Sequence, residues 1–222
     1  MILYLSIILF AMLAIATAVA LIAGESFFAV LGFTALAVVI VICLDGLTAT
    51  VCRLLPAKCA NAEKKIFIVS AKEKKFYEKL NIRKWKDKIP EIGQFTGFRK
   101  NKIADPKSVE YLDRFLLEIC YGEIGHITSV FTSFFLLAFF FITPLWWAIA
   151  LPVATVSALM NLPSLFILRY NSYKLRILRE SNLKKQRREA EKRLNAAAER
   201  IKEEKETTEA KAEAAVAQND DK

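Results

Sequence analysis

The chain has 222 residues, of which 55% are hydrophobic and 16 are Phe, and it carries a formal net charge of +9. Apolar residues gathered into long runs instead of spread through a mixed sequence exclude an ordinary soluble core and leave one small, all-α membrane domain. The basic balance alone does not separate an anionic membrane surface from nucleic acid, but its placement favours anionic headgroups, and nothing else supports nucleic acid.

The first apolar run, residues 2–22, is long enough to cross about 30 Å of hydrocarbon as a helix, and no basic residue precedes it. It therefore reads as an uncleaved span and not a secretory leader. A second run, 27–44, closes at Asp45, and two more follow at 119–143 and 145–168. Together they predict an integral membrane protein with four transmembrane helices and a structured loop at about 48–118. A charged tail at 176–222, rich in helix formers, is predicted to be helical or partly disordered. All 32 Lys and Arg fall in two places, 17 from Arg53 to Arg114 and 15 from Arg169 to Lys222. By the positive-inside rule both regions face the cytoplasm, as do both termini, while Gly24-Glu25-Ser26 and Thr143-Pro144 face outward. Cys43, Cys52, Cys59 and Cys120 form no Cys-x-x-Cys pair and are expected as reduced thiols.

Within the loop, 72–80 reads as a short helix with Phe76 and Leu80 on one face. Next comes the basic segment Arg83-Lys84-Trp85-Lys86-Asp87-Lys88, suited to the headgroup layer through its indole and lysines. Pro90 disfavours helix, Gly93 and Gly97 mark turns, and a helix starts near Asp105-Pro106-Lys107. The stretch Glu118-Ile-Cys120-Tyr-Gly-Glu123-Ile-Gly-His126 then holds the chain's single histidine at the mouth of an apolar run. On a helix Glu123 lies about 60° and Glu118 about 80° from His126, so one face can present all three.

These segments carry a resemblance. Phe76-Tyr77-Glu78-Lys79-Leu80, Ile82-Arg83-Lys84-Trp85-Lys86-Asp87-Lys88-Ile89-Pro90 and Glu118-x-Cys120-x-x-Glu123-x-x-His126 closely resemble the bacterial glycosyl-4,4′-diaponeurosporenoate acyltransferases. So do Leu44-Asp45-Gly46 leading to Arg53-Leu54-Leu55-Pro56, and Leu162-Pro163 leading to Arg169-Tyr170-Asn171. The chain departs from the family pattern after Asn171, where Ser172-Tyr173-Lys174 replaces an Arg-Pro-Arg continuation. The resemblance implies transfer of a fatty acyl group to a sugar hydroxyl of a glycosylated carotenoid acid, late in staphyloxanthin-type pigment synthesis in a bacterial cell membrane. It also implies an acyl-CoA donor and no cofactor.

Acyl transfer to a hydroxyl needs a base for its proton, and His126 is the economical one. Glu123, one turn away, is expected to orient the ring and favour its charged form; Glu118 is expected to bind a sugar hydroxyl or support an arginine. The plain alternative is a Glu–His pair that only closes a helix end. Asp45, Arg169 and Asn171 end their spans near the same depth and join the substrate-binding candidates. Against them stand an interfacial Asp and a positive-inside anchor. Trp85, Lys84 and Lys86, beside Arg83 and Lys88, offer charge and an aromatic surface to the donor's phosphates. No His-x-x-x-x-Asp arrangement is present, because Phe131 stands five residues after His126, and no Gly-x-Ser-x-Gly elbow occurs. Two rivals remain: a metal-binding membrane enzyme built on Glu-x-x-His, and a non-enzymatic membrane scaffold.

Overall fold

The computed structural model describes residues 2–89 and 103–220, with side chains through 202, so Pro90, Gly93 and Gly97 lie outside the described residues. The described residues are helical in the main, without strands. Four helical stretches are long and apolar enough to cross a membrane: Ile2–Ala23, Phe27–Leu54, Val109–Phe139 and Trp146–Lys202. The protein is an integral helical membrane protein.

Helix α1 (Ile2–Ala23) and helix α2 (Phe27–Leu54) form a hairpin whose turn needs Gly24, held at φ +69° where a Cβ would be strained. Here α2 outruns the 27–44 span by ten residues. A single Asp45 does not stop a helix; Pro56 does, by forcing Leu55 into an extended backbone. Alanines 16, 20, 37, 150 and 154 are buried between the spans with Val30, Val41 and Leu136, and their small size lets the helices approach closely. Large side chains such as Phe10, Ile22, Phe28 and Phe131 stay exposed, which is the pattern a lipid-facing surface requires.

The loop folds against the spans. Helix α3 (Ala71–Lys79) starts at Ser70, whose Oγ accepts from the Glu73 amide at 3.1 Å, and ends before Asn81, which adopts the left-handed backbone. Tyr77 is its buried residue, whereas Phe76 and Leu80, the pair expected to share the apolar face, remain substantially exposed. Helix α4 (Ile82–Trp85) and a 3-10 turn Lys86–Lys88 follow. Val69, Tyr77 and Ile82 pack with Ile167 and Tyr170 of the fourth crossing, and Trp85 and Ile89 flank them.

Helix α5 (Val109–Thr132) is capped by Ser108, and it begins later than Asp105 because the Asp105 carboxylate accepts from Lys107 and Ser108 amides in a turn. It tightens into a 3-10 segment, Ser133–Phe139. Helix α6 (Trp146–Asp220) then carries Pro152 and Pro163 in its interior. Fully buried Trp146 closes this corner, donating from Nε1 to the Leu136 carbonyl at 2.8 Å. The chain divides into two compact units, Met1–Ile177 and Leu178–Lys222. In the second, residues 186–202 are exposed and polar in the main, as a solvated helix demands.

Candidate active site: two polar clusters

Polar side chains inside the first unit gather in two places. The outer cluster centres on Arg169, which sits where α6 leaves its apolar run. Its Nε and one terminal nitrogen fork onto Glu73, at 2.5 Å and 3.1 Å, and its other terminal nitrogen donates to Glu123 at 2.9 Å and to the Ile66 carbonyl at 3.1 Å. The Tyr77 hydroxyl adds a 2.6 Å bond to Glu73. Burial works against an ionised Glu73, but the hydrogen bonds from Arg169 and Tyr77 outweigh it and hold the carboxyl below the usual carboxylate range. Burial first, and the Glu73 carboxylate second, push the Tyr77 phenol upward. Glu123 is fully buried, and its Oε1 has no partner. Nearby, Arg176 reaches the carbonyls of Ala62 and Phe67. The cluster thus ties the loop to α5 and α6 with one guanidinium.

Gly122 lets those two helices meet. A Cβ there would stand 2.8 Å from a Leu168 methyl.

The inner cluster lies deeper in the apolar runs and draws on three helices. His126 of α5 shares a 2.8 Å hydrogen bond through Nδ1 with Asn161 Oδ1 of α6. Asn161 Nδ2 donates to the Ser157 carbonyl at 3.1 Å, and Ser157 Oγ donates to Asp45 of α2 at 3.2 Å. Ser133 Oγ approaches Ser157 Oγ at 3.1 Å and donates to the Ser129 carbonyl at 2.7 Å. Asp45 Oδ1 is buried without a partner, and the Asp45 carboxylate connects to His126 through Ser157 and Asn161. Thr48 and Thr132 add a 3.0 Å hydroxyl contact between α2 and α5. From Arg169 to Asn161 the α6 axis rises about 12 Å, so the two clusters occupy different depths.

The expected Glu123–His126 pair does not form. Glu123 turns to Arg169, the only full positive charge that reaches it through a hydrogen bond among the described residues, and Asn161 takes the ring-anchoring place. Glu118 faces elsewhere, in a half-exposed 3.4 Å pair with Arg53. Such a pair is worth little, at about 0–1 kcal/mol. Asp45 joins the His126 cluster through Ser157 and Asn161, and Arg169 meets Glu123 in the other. Asn171 is buried just beyond Arg169. Trp85 spends its indole N–H on the Leu80 carbonyl at 2.9 Å, an orphan acceptor at the end of α3, and packs against the loop-side end of the fourth crossing. Lys84 is exposed and Lys86 half-buried.

Glu73, Asn161 and Ser157 went unseen in the sequence. Glu73 reads as the glutamate of a Ser70-x-x-Glu73 capping box, which hides its tertiary role. Ser157 and Asn161, four apart in an otherwise apolar run, are the signal that was there to find, because polar side chains in hydrocarbon seek each other. No group of three or more His, Cys, Asp or Glu among the described residues is arranged to hold a metal ion.

The fold and these clusters define a multi-helix membrane protein with a half-buried imidazole held by an amide. A family model described as glycosyl-4,4′-diaponeurosporenoate acyltransferase matches residues 61–181, more than half of the chain. The chain belongs to that family and is an acyltransferase. The match covers most of the loop, α5 and the apolar part of α6, hence every member of both clusters except Asp45 and Thr48. Neither the curated proteins nor the solved structures gave a match.

Proposed function

We propose that the protein moves a fatty acyl group from acyl-CoA to a sugar hydroxyl of a glycosylated carotenoid acid held in a bacterial cell membrane, with His126 as general base. The observation that carries this reading is the chain's sole histidine, anchored at Nδ1 by Asn161 while its other nitrogen makes no hydrogen bond among the described residues. His126 Nε2 takes the hydroxyl proton as the oxygen attacks the thioester carbonyl. The tetrahedral intermediate collapses, the C–S bond breaks, and the imidazolium returns the proton to the departing thiolate. The Asp45 carboxylate stabilises the transient imidazolium.

Arg169, with its donors engaged by Glu73, Glu123 and Ile66, holds the loop in place and leaves the donor's phosphates to Arg83, Lys84, Lys86 and Lys88. Both termini face the cytoplasm in this reading, because the basic regions do. Purified protein in liposomes, given acyl-CoA and the glycosylated carotenoid acid, is expected to yield the ester, and other glycolipids in the same assay define the acceptor. His126→Ala is expected to lower turnover by about 10²- to 10⁴-fold in protein that inserts and folds normally. Near-normal specific activity in that variant overturns the reading.

A further inference from the structure

We infer that Asn161 is a positioning residue that fixes the tautomer of His126, keeping the proton on Nδ1 and the lone pair on Nε2. The inference rests on His126 being the base, and it adds the element that makes the base competent.

The argument starts at Ser157. Its backbone carbonyl is an acceptor under all conditions, so the Asn161 atom 3.1 Å from it must be the amide nitrogen. A flipped amide would set oxygen against oxygen there and forfeit the bond. With Nδ2 committed, Oδ1 is the atom that faces the ring, and Oδ1 can only accept. His126 Nδ1, 2.8 Å away, must then donate, which leaves Nε2 unprotonated in the neutral imidazole. Neutral imidazole in water slightly prefers the opposite arrangement, so the protein imposes this one.

Ser157 also explains why the amide stays put. Its hydroxyl donates to Asp45 while its carbonyl receives Asn161, so one residue on α6 links the α2 carboxylate to the α5 histidine. An amide is also the suitable chemistry at this depth. It accepts from the ring as a carboxylate would, without placing a second charge beside Asp45 in the apolar run.

Because the chain holds a single histidine, full-length protein labelled only with ¹⁵N-histidine reports one imidazole. In detergent micelles, above the ring's titration, the wild-type spectrum is expected to show the Nδ1–H form. Asn161→Asp keeps an acceptor and is expected to retain that form; Asn161→Leu is expected to shift the ring towards Nε2–H. In the acyl-transfer assay Asn161→Leu is expected to lower kcat roughly 10²-fold at little changed KM. An Nε2–H spectrum for the wild type or for Asn161→Asp overturns the inference, as does an unchanged tautomer in folded Asn161→Leu. Should Asn161→Leu fail to fold, the wild-type and Asn161→Asp spectra still decide. If the tautomer behaves as stated while His126→Ala keeps its activity, the base assignment fails and the tautomer assignment stands.

Discussion

The outer and inner clusters solve the same physical difficulty in opposite ways. Near the end of the apolar run, the outer cluster uses whole charges: a guanidinium between two carboxylates, reaching from α6 to the loop 96 residues away in sequence and to α5. Arg169 and Glu73 keep some exposure there, while fully buried Glu123 depends on the guanidinium for its compensation. Deeper in, the polar contacts among α2, α5 and α6 are made mainly by hydroxyls, an amide and an imidazole, with Asp45 as the one carboxylate. Full charges there would be expensive. The difference assigns labour: the outer cluster holds the loop, and on the proposed function the inner one moves a proton.

Arg169→Met separates the two most sharply. It leaves Glu123 buried and uncompensated, so a stability loss of about 3–5 kcal/mol is expected, read as earlier thermal unfolding in detergent and faster proteolysis of the loop. Adding Glu123→Gln is expected to recover part of it. Activity per folded molecule is expected to survive, in contrast to His126→Ala, and a dead but fully folded Arg169→Met would dissolve the distinction between the clusters.

Gly122→Val is expected to cost about 1–3 kcal/mol, because its branches press on Leu168, whereas Gly122→Ala meets only a flexible methyl and is nearly neutral. Chemical denaturation of both variants checks this. The smallest effect is a titration. Glu73 is depressed in the folded protein, so its contribution is complete above the ordinary carboxylate pKa and drains away as the pH falls through its lowered value. Loop proteolysis is therefore expected to rise in acid well below pH 5, and Glu73→Gln to abolish the rise. Persistence of the full rise in Glu73→Gln would assign it to another group.

Four crossings were legible because apolar length alone specifies them, and the family was legible because the tryptophan-lysine-aspartate and glutamate-histidine segments stand in order. The partners were not. Helical spacing shows only what lies three or four residues away, and it pointed Glu123 at His126. The actual partners come from α6, 46 residues beyond Glu123 and 35 beyond His126. The same limit misplaced the buried face of α3, since Tyr77 is chosen by Glu73 and by the packing of Ile167 and Tyr170 rather than by local pattern.

The 3-10 segment Ser133–Phe139 acts as a ruler. Its seven residues advance about 2.0 Å each, some 14 Å in all, where an α-helix would advance about 10.5 Å. Counting from Phe139, His126 then stands roughly 23 Å along the crossing, and Glu123 roughly 28 Å. This tightly wound stretch thereby sets the imidazole about 3–4 Å nearer the basic loop than an α-helix of the same length would.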